Sequence, residues 1–140
     1  MTATVVNNAS CSTAIMKAIQ VSLATAPISI AWPNHAFQVP EQTAWIRPII
    51  KIPSTEVAEL GDNGMGLRNG LLMIQIFDKI SNGTKTANEW ADRLEALFRR
   101  ADIGNIWFDE PTSNPIGNDP NGYYGILMTV DFHYWVGQNT

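Results

Sequence analysis

Apolar positions along this chain follow two periods. From Ser12 to Ala26, Ile15, Ile19 and Leu23 recur every four residues with Ala14 and Ala18 beside them, the spacing that lines up one face of a helix. Ser12 or Thr13 stands where a cap belongs, and Pro27 ends the run by driving its predecessor out of helical backbone. The opposite face holds Gln20, Ser22 and Thr25, with Lys17 its one charge. A helix face so poor in charge points to a neighbour that covers it. Residues 1–9 are small and polar and read as a loose arm.

Period-two and continuous apolar runs follow. Ile28 to Trp32 is a short strand stopped at Pro33-Asn34, and residues 33–43, with two prolines, are a loop. Trp45 to Ile52 alternates, with Ile46, Pro48, Ile50 and Ile52 on one face; a proline inside it marks an edge strand or a bulge, because it donates no ladder hydrogen bond. Residues 53–69 are polar, carry three glycines, and read as a long mobile loop or the tip of a hairpin. Gly70 to Asp78 is apolar on both faces, as at the centre of a sheet. After the turn Ser81-Asn82-Gly83, a second helix spans Thr86 to Arg100. Thr86 and Glu89 have capping-box spacing, Trp90, Leu94, Leu97 and Phe98 form the buried face with Ala87 and Ala91, and Arg99 and Arg100 complement the dipole.

Asn105 to Asp109 reads as a strand, Pro111 to Asn121 as a turn-rich connection, and Tyr123 to Val136 as a long strand. On that last strand Tyr124, Ile126, Met128, Val130, Phe132 and Tyr134 share the apolar face, while Thr129, Asp131 and His133 lie on the other. The order α-β-β-β-α-β-β predicts a single α+β domain: two helices on one face of a mainly antiparallel sheet of four to five strands. The second sheet face is then partly wet or covered by another chain.

Composition narrows the classes. Of 140 residues, 45% are hydrophobic and 16% charged, with a net charge of −4. That is apolar enough to fold, and one domain of this length buries roughly two-thirds of its unfolded surface. Charge is unevenly placed. Residues 68–100 hold six bases and four acids, whereas residues 101–140 hold five acids (Asp102, Asp109, Glu110, Asp119, Asp131) and no Lys or Arg. Neither block is a footprint for nucleic acid, which needs clustered cations. The single cysteine, Cys11, near a terminus expected to fray, forms no internal disulfide and fits a reducing compartment. No apolar run approaches the ~18 residues of a membrane span, and the N-terminus lacks the pattern of a secretory signal.

Catalytic chemistry is sparse. His133 with Asp131 two residues away is a possible acid–base pair, but no nucleophile accompanies it. His35 falls in a loop. Asp109 and Glu110 are adjacent, so on a strand they point apart rather than across a cleft. The run Gly61-Asp62-Asn63-Gly64-Met65-Gly66 leads into a strand rather than a helix and has no phosphate-binding lysine. Trp45, Trp90 and Trp107 sit on apolar faces as core residues, while Trp135 and Tyr123 are candidates for an interface. No metal or cofactor is expected.

The order of short motifs resembles a known family. A first helix leads into Pro27-Ile28-Ser29-Ile30-Ala31-Trp32-Pro33-Asn34, then Phe37 and Pro40, then Trp45-Ile46-Arg47-Pro48. Glu59-Leu60-Gly61 follows, then Arg68-Asn69-Gly70 opening the central strand, Phe77-Asp78 closing it, and Gly83-Thr84 before a helix that ends in Leu97-Phe98. Over roughly residues 12–136 this is similar to the tail terminator, or tail completion, proteins of long-tailed bacteriophages. Asp78-Lys79 departs from the family's usual Pro or Val after the Phe, and residues 109–122 are particular to this chain.

The resemblance implies a non-enzymatic virion protein, made in the host cytoplasm, that forms a homohexameric ring on the head-proximal end of the tail. That ring stops polymerisation of the tail tube protein and presents a surface to the head–tail connector or stopper, while DNA passes through the lumen without specific contact. Within the 53–69 segment, Glu59, Leu60, Gly61, Asp62, Met65 and Arg68 are the candidate contacts with a neighbour or the tube. The acidic end suits a lumen that must not hold DNA. The alternatives are another head–tail connector component and a small-ligand or enzymatic domain using the Asp131/His133 face.

Overall fold

A computed structural model describes residues 8–24, 28–33, 36–39, 44–57, 65–80, 83–120 and 122–137. The elements are α1 (Asn8–Ser22), β1 (Ser29–Ile30), β2 (Trp45–Val57), β3 (Met65–Lys79), α2 (Lys85–Phe98), β4 (Asp102–Ile103), β5 (Ile106–Phe108), β6 (Thr112–Asn118) and β7 (Tyr123–Gly137). The seven strands form one sheet in the order β1-β2-β3-β7-β5-β4, with β6 paired to another stretch of β7. β1 runs parallel to β2, and every other pairing is antiparallel.

The long strands set the register of everything else. Leu72, Ile74 and Ile76 on β3 stand opposite Val130, Met128 and Ile126 on β7. All six are buried, together with Phe132 and Tyr134. Because side chains alternate, these even-numbered positions make one apolar face. Cys11, Ile15 and Ile19 of α1, Leu23 just past its end, and Ala87, Ala91, Leu94 and Phe98 of α2 join it in one core cluster, so both helices lie on that face. Each large side chain fully buried there contributes about 1.5–3 kcal/mol. Gly70 holds the place where β3 passes under Phe132: a Cβ there would stand 2.5 Å from Phe132 Cε1 and 3.0 Å from the Lys51 carbonyl oxygen, so only glycine fits.

The α+β class stands, but the sheet is larger and mixed rather than four or five strands. Pro111 to Asn121, expected as a turn-rich connection, contains β6. This strand pairs Thr112 with Thr129 and Asn118 with Tyr124. Its polar, Pro- and Gly-containing sequence hides it, because backbone pairing to β7 rather than burial of its own side chains holds it. β4 is a two-residue addition after α2. The edge position of Pro48 has a backbone cause: Ile46 O accepts from Ala31 N at 2.8 Å, so Ile46 points its polar groups away from β3. Pro48, two residues on, turns its donor-less nitrogen the same way.

Boundaries also move. α1 begins and ends four residues earlier than Ser12–Ala26, so Ser12 and Thr13 are interior rather than caps. Residues 8 and 9 of the expected loose arm are helical, while residues 1–7 lie outside the described residues. α2 has Thr84 at its N-cap with no side-chain cap bond, and Asn88 Nδ2 donates to Thr84 O at 3.0 Å instead. Thr86 and Glu89 therefore form no capping box. Arg99 is the C-cap and Arg100 takes a positive φ of 49°, so the pair lies past the last turn. Both donate to Glu110, at 2.9 and 3.2 Å.

Candidate functional site

Of the residues proposed to touch a neighbour, Glu59, Leu60, Gly61 and Asp62 lie outside the described residues. Around them, β2 reaches Val57 and β3 starts at Met65, with Val57 opposite Gly66; residues 53–57 and 65–69 are therefore the arms of one long hairpin. Met65 pairs in the backbone with Gly137. Arg68 stands opposite Tyr134 and is half-buried. Its guanidinium donates to the Tyr134 oxygen, and the Tyr134 hydroxyl donates to the Cys11 sulfur. Burial pushes the Cys11 thiol up to about 11, against the opposing pull of Tyr134 and Arg68. Burial raises Tyr134 as well, with Cys11 adding to it. Cys11, expected near a frayed terminus, is fully buried in α1. A thiol held protonated there is a packing residue and not a nucleophile.

The odd-numbered sheet face carries no helix among the described residues. Leu71, Met73, Phe77 and Leu127 are half-buried on it. At one end Trp45 stacks on Phe77 at 4.4 Å and meets Phe37 at 5.3 Å and Tyr123 at 6.3 Å, so Tyr123 and Trp45 share one aromatic cluster. At the other end His133 stacks on Trp107 at 5.8 Å. No hydrogen bond joins His133 to Asp131 among the described residues, and Asp131 is exposed. The acid–base pair read from their spacing is thus not assembled. Trp90 lies under the Arg93 guanidinium, half-buried, and Trp135 is half-buried on β7.

A concavity lies on the outer side of β2. It is a hollow of about 490 Å³ between α1 and the β2 edge, floored by Met16, Trp32, Phe37, Pro48 and Ile50, with Arg47 at its rim. Two shallower hollows, about 400 and 460 Å³, continue it along α1 past Gln20 and Lys17, and Met16 borders all three. The lining is apolar with cations at its margins. Sequence reading missed this groove, since Met16 of α1, Trp32 and Phe37 from between β1 and β2, and Pro48 and Ile50 of β2 are brought together only by the fold.

Across the sheet, β6 presents a contrasting feature. Pro115 stands opposite Ile126 and Gly117 opposite Gly125, so Ile116 is the extra residue of a β-bulge. Gly117, with φ at 95°, absorbs the bend, and Ile116 is 54% exposed. Bulges of this kind re-aim a side chain. A lone isoleucine in a Pro-Ile-Gly run was the available signal. The strand that carries it is anchored to α2: Ser113 Oγ donates to Glu95 Oε2 at 2.6 Å, and Arg99 bridges Glu95 to Glu110.

Comparison with known families settles the broader question, because the family described as phage tail terminator protein matches residues 11–122. The chain belongs to the phage tail terminator family. The match includes α1, the groove, the β2–β3 hairpin, α2 and β6. Eleven chains of solved structures also match. One of them, known by a sequence identifier alone, aligns at a TM-score of 0.63 with 16% identity, over 87% of this chain and 94% of that one. At that identity the likeness establishes a shared fold for this tail terminator family member and nothing about its partners. No curated protein matches. No helix among the described residues is long and apolar enough to cross a membrane.

Proposed function

We propose that this phage tail component forms a ring, a hexamer, that caps the head-proximal end of the tail tube, stops its polymerisation and offers the surface on which the head connector docks. Family membership over residues 11–122 carries this reading. Two features of the surface support it. The odd sheet face leaves Leu71, Met73, Phe77 and Leu127 half-buried with no helix over them among the described residues, and α1 turns outward a face whose only charge is Lys17, with Val21 67% exposed. Surfaces like these favour burial against other subunits. In this reading the chain acts by shape and contact, without catalysis or cofactor. Glu59 to Asp62, which follow β2 and precede β3 in the chain, reach the neighbour or the tube, and the acids of residues 101–140 face a lumen that DNA crosses unbound.

The test is electron microscopy of tails assembled without this protein. Tubes of uncontrolled length that fail to join heads are expected. Tails of normal length that join heads normally would overturn the reading. Labelled protein found on the head side of the joint would assign it instead as a stopper or other connector component.

A further inference from the structure

The large exposed apolar side chains divide between two places. Among the described residues, Val21 is on the outer face of α1 and Val39 is two residues beyond the groove-lining Phe37; Ile80 and Ile116 lie near the β6–β7 turn. Ile80 is joined to that turn by its N–H to Gly122 O, at 3.0 Å. β2 and β6 are three strand steps apart in the sheet, or about 14 Å at the usual spacing. Ile116 therefore cannot fill the groove of its own chain.

The two places also differ in charge and shape. Residues 1–51 hold three bases (Lys17, Arg47, Lys51) against one acid, while residues 101–140 hold acids and no Lys or Arg. One place is concave and the other is a bulge whose extra residue, Ile116, is 54% exposed. Strand-to-strand pairing between the two edges is disfavoured by Pro48 on β2 and Pro115 on β6, which remove backbone donors. Side-chain insertion needs no such donors.

We propose that the β6 bulge of one copy seats Ile116 in the groove between α1 and β2 of the next copy. This rests on the ring reading and specifies which surfaces meet. Because knob and groove are different patches, the contact is heterologous, and repeating it makes a ring when the rotation closes. The Arg47 and Lys17 rim attracts the acidic C-terminal part of the neighbour and fixes the direction of docking.

Two exposed positions allow a test with the full chain. Ile116→Arg spoils the knob and leaves the groove, whereas Arg47→Glu reverses the groove rim and leaves the knob. Native mass spectrometry is run on each variant, alone and with tail tubes, with thermal unfolding as the check that each still folds. Each variant alone is expected to lose ring abundance by about tenfold or more, as for a central interface residue. An equimolar mixture is expected to recover oligomers containing both variants, because the intact knob of one still meets the intact groove of the other. Variants that keep wild-type rings, or a mixture that recovers nothing, would overturn the contact and leave the ring reading in place. A wild-type chain that is monomeric alone and on tubes would overturn the ring reading itself, and this contact with it.

Discussion

At the scale of single residues, the core holds a polar chain that the sequence does not announce. Cys11, Arg68 and Tyr134 are separated by 57 and then 66 positions along the chain and converge only because β3 and β7 pair under α1. Their chemistry makes a directional prediction. Burial holds the Cys11 thiol up at about 11 in the folded chain, against an ordinary value of 9.0. Above pH 9 the unfolded thiol loses its proton while the folded one keeps it, so unfolding releases a proton and stability falls as pH rises toward 11. Tyr134, also raised, acts in the same direction. Urea midpoints measured at pH 8, 9 and 10 should decline, and Cys11→Ala should flatten part of that decline. Thiol reagents should label Cys11 only on unfolding. Cys11 shows why the residue scale was hard to read: one cysteine near a chain end gives no sign of burial until the helix that carries it is placed.

At the scale of elements, strong periodicity was legible and weak periodicity was not. β3, β7 and α2 are visible from alternation or a four-residue stripe, since burial of their side chains is what makes them form. β6 is not, because residues such as Thr112, Asn114 and Asn118 remain exposed on it and its ladder to β7 is a tertiary fact. The same distinction applies to the candidate surfaces: Met16 was readable as a helix residue but not as part of a groove. β6 also depends on α2 for its position, through the Ser113 hydroxyl and the half-buried Glu95 carboxylate. Ser113→Ala removes a bond to a charged group, at a cost of about 1.5 kcal/mol. Amide hydrogen exchange should then quicken across Thr112–Asn118 while the central pair β3 and β7 stays protected. Equal exchange in Ser113→Ala and the unaltered chain would show that the ladder to β7 alone holds the strand.

At the scale of the whole molecule, charge is sorted by position in the fold as well as along the chain. Bases border the groove beside α1, acids occupy the C-terminal strands, and both helices gather on one face of the sheet. This leaves the other face and two sheet edges to the outside. Such edges ordinarily invite unlimited growth: a β-strand with a free flank recruits another, and the product is a fibre. Pro48 and Pro115 interrupt the flanks of β2 and β6. Replacing both with Val should convert soluble chains into thioflavin-binding aggregates on prolonged storage, and chains that remain clear would show that the edges are protected otherwise. Under the capping role proposed above, a protein that ends one polymer must not found another, and the two imino acids on opposite sides of the sheet are the feature expected to keep it from becoming a seed.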